Sequence, residues 1–229
     1  MIVRENERMR LSPVTIAALV FCLAGSAFAQ DWVEFASQED RFAIVFPGQP
    51  TIAETTFPSE FGAELPARIY SAEVGPSRYS VTVVDYGSIE SLLGEKAKAC
   101  PAGAETCSGG SGAPGNSTGP GYSYADRQGA LTYATWLFMQ RDAKVTHLLW
   151  SNIQMVEGHQ IQLTNADESR TYAGVFMHED KLYIVEGTRP AGEPEPEFFR
   201  VNLAFLDENG DSIRYLSFYR NGFPTPPQR

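Results

Sequence analysis

Cysteine is the residue type in this chain whose spacing most directly indicates chemistry. Cys100 and Cys107 form a close pair near the middle of the chain. Their spacing matches neither the Cys-x-x-Cys motif of redox proteins nor a zinc knuckle, although a redox pair or half of a metal site is the alternative. In an exported protein such a pair is typical of a disulfide. We therefore predict a structural Cys100–Cys107 disulfide, worth roughly 2–3 kcal/mol in the chain-entropy model.

The histidines and the acidic segments lack the spacing of metal ligands. His147, His159 and His178 are spread along the chain without an H-x-H or H-x-x-x-H pattern. The segment Asp207–Asp211 resembles a calcium loop, but its glycine comes too early for an EF-hand and the closing glutamate is absent. The sequence therefore assigns no metal ligand and no cofactor.

Nucleotide-binding and hydrolase motifs are incomplete or missing. Residues 110–118 resemble a phosphate-binding loop, but Asn116 stands where that loop needs its lysine. Neither G-x-S-x-G nor S-x-x-K occurs. No catalytic residue is assigned on this basis. A Ser-His-Asp group can still assemble from distant positions, so a hydrolase with a dispersed active site stays open as an alternative.

The first residues are typical of a bacterial export signal. Three arginines precede the apolar segment Leu11–Ala24, and the small-residue site Ala27–Ala29 follows it. We predict cleavage between Ala29 and Gln30. Translation starts at Met1 or Met9, and we favour Met9 because it excludes two glutamates from the basic region of the signal. The apolar segment is shorter than the about 20 residues that a membrane span needs, so no stable span is expected. The mature protein is then periplasmic or secreted.

The charge of the chain excludes one class of partner. Its formal net charge is −10, and the predicted signal carries three arginines against two glutamates, so cleavage leaves the mature chain more acidic. No run of basic residues offsets this charge. Because such a surface repels phosphate backbones, nucleic acid is not expected as a partner.

Strand patterns dominate the first third of the mature chain. Trp32–Pro50 holds two aromatic and branched runs around the polar turn Ser37–Arg41, and a Pro-Gly exit closes it, which is typical of a β-hairpin. We expect this hairpin to form the first strands of the main sheet. Ala67–Val74 and Tyr79–Tyr86 predict a second hairpin across a Gly-Pro turn. With a further strand at Thr51–Thr56, these segments predict a meander of about five antiparallel strands.

Two segments have the pattern of helices that cover a sheet. Ser88–Ala99 is amphipathic, and Arg127–Arg141 is hydrophobic nearly all round, with Trp136 among its aromatic residues. Short strand patterns return between residues 146 and 186. After Pro196 we favour a short helix and a final strand, Ser212–Tyr219, although the alternation up to residue 205 also fits a hairpin.

The longest loop lies between the two predicted helices. Residues 100–122 are rich in glycine, proline and serine. Loops of this length in compact domains are usually functional or disordered, and this one has the predicted disulfide at its base. We therefore expect a single domain over residues 30–229, with residues 100–118 as the best candidate for a partner contact.

Several segments together resemble a known family. Trp32 with residues 42–50 (FAIVFPGQP), residues 79–86 (YSVTVVDY), and the later order of 170–172 (RTY), 182–184 (LYI) and Phe198–Phe199 are similar to the PsbP-like proteins, relatives of an extrinsic photosystem II subunit. The resemblance covers about half of the mature chain. It implies an antiparallel sheet flanked by helices on both faces. We therefore predict an α+β fold, an α/β/α sandwich with a sheet of about seven strands. The resemblance also implies a non-catalytic assembly or binding module, while no binding residue of the family can be placed here.

The sequence therefore predicts an exported, non-catalytic binding or accessory protein of the cell envelope. Its partner would be an envelope protein or a small ligand. The first alternative is the envelope hydrolase, which requires a polar pocket with a carboxylate or histidine of shifted pKa. The second is a carrier of a small apolar ligand, which requires a cavity between the sheet and the helix that holds Trp136.

Overall fold

The computed structural model describes residues 32–98 and 120–228. In these two ranges the chain forms ten strands and three helices. The strands are β1 (Trp32–Ser37), β2 (Phe42–Pro47), β3 (Thr51–Pro58), β4 (Glu64–Val74), β5 (Ser77–Asp85), β6 (Ala143–Ile153), β7 (Val156–Asn165), β8 (Arg170–His178), β9 (Lys181–Arg189) and β10 (Ala204–Phe205). The helices are α1 (Ile89–Lys98), α2 (Pro120–Met139) and α3 (Glu197–Val201).

Seven strands form one antiparallel sheet in the order β3-β4-β5-β9-β8-β7-β6. The pairing of β5 with β9 in the middle joins the strands of the first half of the chain to those of the second half. The β4–β5 hairpin closes at Gly75, whose positive φ of 55° suits the tight turn. The predicted antiparallel sheet of about seven strands is confirmed.

The opening hairpin forms as predicted, but it does not belong to the large sheet. The strand β2 pairs with β1 on one edge and with β10 on the other, which makes a separate three-stranded sheet. The prediction that this hairpin forms the first strands of the main sheet is therefore wrong. Gly48, at φ 102°, turns the chain at the Pro-Gly exit and lets β3 start in the other sheet. Phe42, Ile44 and Phe46 of β2 are buried, because the hairpin packs by its apolar face.

The large sheet is covered on both faces. On one face α1 and α2 bury residues such as Leu93, Ala134 and Phe138 against it. On the other face lie the small sheet and α3, with Phe176 and Phe199 in their core. The α+β class is thus confirmed, and the second covering layer is mainly a small sheet, since α3 has only five residues.

The ends of the helices and the last segment differ from the sequence prediction. The helix α2 begins at Pro120, well before the predicted start at Arg127 and inside the range assigned to the loop. The helix predicted after Pro196 is present as α3. The strand predicted at Ser212–Tyr219 is wrong, because the described residues there make only isolated bridges. Ile213, Tyr215 and Tyr219 bury their side chains in the core of the small-sheet face instead.

Several predicted features lie outside the described residues. They are the signal with its cleavage site between Ala29 and Gln30, the cysteines Cys100 and Cys107, and the loop up to residue 119. Among the helices that the structure describes, none combines the length and the apolar character required to cross a membrane.

Candidate functional site: an acidic groove beside the opening hairpin

An acidic groove lies where the β1–β2 turn meets the ends of the large-sheet strands. It consists of two clefts of about 190 Å³ and about 300 Å³, and Asp85 lines both of them. Ionisable residues dominate the lining. The carboxylates are Glu39, Asp40, Glu54, Asp85, Glu179 and Asp180, and the cations are Arg41, Arg68 and Lys181.

The register of the large sheet positions the floor of the acidic groove. Asp85 at the end of β5 is directly opposite Lys181 at the start of β9. Arg68 in β4 is one strand further along, opposite Val83 of β5. The β1–β2 turn places Asp40 over these strands, and the backbone N–H of Asp40 donates to Ser37 Oγ at 3.1 Å within that turn.

Asp40 is the buried centre of the groove, with its side chain only 5% exposed. The Tyr70 hydroxyl donates to Asp40 Oδ2 at 2.6 Å, and Arg68 Nη1 lies 3.3 Å from both carboxylate oxygens. Lys181 Nζ lies 3.5 Å from Asp40 Oδ1. A carboxylate removed from water needs such partners, because its desolvation otherwise costs several kcal/mol.

Two tyrosines anchor the turn to the large sheet. Tyr183 donates to the backbone oxygen of Asp40 at 2.9 Å, and Tyr70 donates to the Asp40 carboxylate. Burial raises the pKa of Tyr70 to about 12, and the hydrogen bond to Asp40 adds to the shift. Burial also raises the pKa of Tyr183 above its ordinary value. Both hydroxyls therefore stay protonated at neutral pH and act as donors, not as bases.

Ion pairs at the rim engage the cations of the groove. These pairs are Arg41–Glu179 (2.7 Å), Lys181–Asp85 (3.5 Å), Arg68–Glu39, and Arg127–Asp180 (3.2 Å), the last reaching in from α2. Glu54, in contrast, has no ion-pair partner within the described ranges and is exposed on β3. Carboxylates outnumber cations in the lining, so the groove is a region of negative potential that attracts positively charged groups.

The chemical groups that line the groove are mainly carboxylates and cations. Among residues 32–98 and 120–228, no group of three or more His, Cys, Asp and Glu side chains has the arrangement to hold a metal ion. Its lining contains no serine, cysteine or histidine, so its carboxylates, the hydroxyl of Thr55 and the amine of Lys181 are the only groups of the lining with the chemistry of a base or nucleophile. The geometry supports recognition of charge.

The buried carboxyl of Asp126 lies apart from the groove and has a structural role. It accepts hydrogen bonds from the Ser59 hydroxyl at 2.5 Å and from the backbone N–H of Phe61 at 3.3 Å. Burial raises the pKa of Asp126, and these hydrogen bonds limit the rise. Asp126 thus ties α2 to the turn between β3 and β4, and it lines none of the clefts described here.

The two histidines with shifted pKa values are also outside the groove. Burial lowers the pKa of His159, whose Nδ1 shares a hydrogen bond of 2.9 Å with the Thr135 hydroxyl of α2. Burial lowers the pKa of His178 to about 4, and the nearby Arg41 guanidinium acts in the same direction. His178 is enclosed by aromatic rings and shares a hydrogen bond of 2.7 Å with Tyr215. His147 lines a separate cleft of about 110 Å³.

The packing of α2 does not favour the apolar-carrier alternative. The helix places Ala130, Ala134 and Phe138 against the large sheet, and all three are buried. Trp136 is instead 47% exposed and stacks on Tyr133 at a centroid distance of 5.7 Å. Small side chains at the contact bring the helix close to the sheet, so Trp136 does not line a cavity between them.

The residues of the groove were not identified from the sequence. The segment Ser37–Arg41 was interpreted only as a turn, and His178–Asp180 only as a break between strands. The local signal is the cluster of three charged residues Glu39, Asp40 and Arg41, which on its own is typical of any exposed turn. The sites that the sequence did single out, Cys100 with Cys107 and the loop between the helices, lie outside the described residues.

Comparison with known proteins gives a distant structural similarity. No family model and no curated protein matches this chain. The chain is similar to the solution structure of cyanobacterial PsbP (CyanoP) from Synechocystis sp. PCC 6803, with a TM-score of 0.36 and 10% sequence identity over 74% of this chain and 85% of that chain. The resemblance to PsbP-like proteins drawn from the sequence is thereby confirmed as a weak one. At this identity and TM-score it assigns no site residue and no activity to the chain.

Proposed function

We propose that this chain is an exported, non-catalytic binding or accessory protein of the cell envelope that holds a positively charged group of its partner in the acidic groove. The observation that carries the proposal is the excess of carboxylates over cations in two adjoining clefts. The buried centre at Asp40 is fully paired, so it provides a rigid floor. The exposed carboxylates of Glu54 and Glu179 are then the groups that a ligand would meet first.

The position of the shifted ionisable groups supports a binding role over the hydrolase alternative. A dispersed hydrolase would place a carboxylate or histidine of shifted pKa in a solvent-filled cleft. Asp126, His159 and His178 are the described carboxyl and imidazole groups whose pKa burial shifts, and they hold elements of the fold together. The predicted loop contact at residues 100–118 stays a prediction and could extend the binding surface.

The test is titration of a short oligolysine peptide into the purified protein by calorimetry, with an oligoglutamate peptide of equal length for comparison. We expect oligolysine to bind and oligoglutamate not to bind. Affinity should fall steeply between about 20 mM and about 200 mM salt, because salt screens exposed charges. The double variant Glu54→Gln/Glu179→Gln should bind about two- to thirtyfold more weakly, since each lost contact is worth about 0.2–1 kcal/mol.

The matched control is Glu34→Gln/Glu90→Gln, which also removes two exposed carboxylates, one in β1 and one in α1, both outside the groove. Its affinity for oligolysine should equal that of the unchanged protein. Equal loss of binding in the control and in the groove variant would mean that only net charge is sensed. Equal binding of both peptides would overturn the proposal.

A further inference from the structure

The strand β6 is one of the two outermost strands of the large sheet. It pairs with β7 along one edge, and no described strand pairs with its other edge. The outward N–H and C=O groups of such an edge are a template for another extended strand. Natural edge strands are usually protected by charges, prolines or bulges, so the residues of β6 decide whether this edge is open.

The two outer edges of the large sheet differ in their protection. The strand β3, at the opposite end, carries Glu54 near its middle and ends at Pro58. In β6 the only charged residue is Lys144, near its start, and the stretch from Val145 to Ile153 has no Asp, Glu, Lys or Arg. This uncharged stretch stands out in a chain of net charge −10. Pairing of this stretch with the same stretch of a second copy therefore brings no like charges into direct contact.

The strand β6 exposes large apolar side chains on both of its faces. Leu148, Leu149 and Trp150 are 46%, 37% and 47% exposed. Successive residues of a strand point to opposite faces, so Leu149 lies on one face and the other two lie on the opposite face. Trp150 is held in place, because its Nε1–H donates to Glu157 Oε1 at 2.8 Å and its ring packs edge-on against Phe218.

A register irregularity limits how much of β6 can accept a new strand. The pairing with β7 shifts between Val145 and His147, which is the signature of a β-bulge. A bulge bends the strand and interrupts a regular edge, so continuous pairing is confined to His147–Ile153. Trp150 is the midpoint of that segment.

We propose that two copies of this chain associate through their β6 edges, antiparallel and around a twofold axis at Trp150. Antiparallel pairing of a segment with itself satisfies twofold symmetry, and it places the two Trp150 side chains on one face as a cross-strand aromatic pair. The same pairing sets Leu149 of each copy beside Ser151 of the other. The two large sheets then form one continuous sheet. The acidic groove of each copy lies at β4, β5 and β9, and the strands β8 and β7 separate it from the β6 contact.

The test is sedimentation velocity of the purified protein from about 1 to about 200 μM, a range suited to interfaces of modest size. We expect the mass to approach that of a dimer as concentration rises. Leu149→Lys should raise the dissociation constant at least about tenfold, because twofold symmetry introduces two like charges at the contact. The matched control is Ile52→Lys in β3, where a residue that is 56% exposed lies on the opposite edge strand. This control should dimerise like the unchanged protein.

Hydrogen exchange provides a readout that is specific for backbone pairing. Protection of the amides in residues 147–153 should increase with protein concentration, while amides of β3 should show no such change. Circular dichroism of both lysine variants identifies any that fail to fold, and Leu149→Ser then replaces Leu149→Lys. A protein that stays monomeric over the whole range, or a dimer that Leu149 substitutions do not weaken, would overturn the proposal. Concentration-dependent protection of β3 in place of β6 would overturn it as well.

Discussion

Asp40 shows how one buried charge organises its surroundings. Its carboxylate accepts hydrogen bonds from the Tyr70 hydroxyl and the Arg68 guanidinium, and it faces the Lys181 ammonium. These partners come from β4 and β9, so the side chain connects the opening hairpin to two strands of the large sheet. The cost of burying the charge is offset only while all partners are present.

Replacing Asp40 by asparagine should destabilise the protein. The amide N–H groups of the new side chain would face the N–H groups of Arg68 or the hydroxyl of Tyr70, which are themselves donors. Arg68 and Lys181 would also lose the negative charge that they face. We expect the free energy of unfolding to fall by about 2 kcal/mol, less than for a fully buried pair because Arg68 and Lys181 keep some contact with water. Urea unfolding monitored by circular dichroism measures this change.

Asp85→Asn is the matched control for that substitution. Asp85 faces the same Lys181 at 3.5 Å, but its side chain is 49% exposed. We expect a loss of no more than about 0.5 kcal/mol, as for other exposed ion pairs. Similar losses for both variants would contradict the central role of Asp40.

At the scale of elements, His178 joins the last segment of the chain to the large sheet. It lies at the end of β8, stacks on Phe205 of β10 and shares a hydrogen bond with Tyr215. Tyr219 adds a hydrogen bond of 2.8 Å, which its hydroxyl accepts from the backbone N–H of Glu179. The segment has few backbone pairs of its own, so these side chains hold it in place.

The buried histidine makes the stability of the protein depend on pH. The pKa of His178 is about 4 in the folded protein and 6.5 in its ordinary state. The unfolded chain therefore binds the proton first as pH falls, so stability is complete above pH 6.5 and is lost progressively toward pH 4. The total loss from this group is about 3 kcal/mol.

Urea unfolding at several pH values between 7 and 4 tests this prediction. His178→Gln lacks the titrating ring, so its free energy of unfolding should be lower at pH 7 but should decline less steeply toward pH 4. The difference between the two profiles isolates His178 from the carboxylates that titrate in both proteins. Parallel profiles would show that His178 does not titrate with a lowered pKa.

At the scale of the whole molecule, the two proposed interactions use two different regions of the described residues. The acidic groove lies on the side of β4, β5 and β9, and the proposed self-association uses the outer edge of β6. The export signal and the cysteine pair were predicted from the sequence alone. A protein with this arrangement could bind a cationic partner and associate with a second copy at the same time.

The predicted export and disulfide have a direct test by mass spectrometry of the protein recovered from the periplasm of an expressing bacterium. We expect an N-terminus at Gln30, and a mass lower by two hydrogens than that of the chain with two thiols. Alkylation should label Cys100 and Cys107 only after reduction, and a Cys107→Ser variant serves as the control with one free thiol. Labelling of both cysteines without reduction would contradict the disulfide, and retention of residues 1–29 would contradict the cleavage.

The sequence by itself determined most of the local structure of the described residues. Alternation of β-branched and aromatic residues identified the strands from Trp32 to Tyr86, and the amphipathic pattern placed α1 to within a residue at each end. Pro196 marked the start of α3. These features follow from contacts between residues that are close in the chain, which is why composition and periodicity are sufficient to find them.

Only the tertiary structure decided the sheet to which the hairpin belongs and the position of the acidic groove. The hairpin pattern of Trp32–Pro50 is the same whether its neighbour is β3 or β10, and burial of Phe42 and Phe46 against the large sheet favours the second arrangement. Asp40, Arg68 and Lys181 come together through strand register and packing across most of the chain. No local pattern encodes such long-range contacts, because their energy exists only after the two sheets have packed.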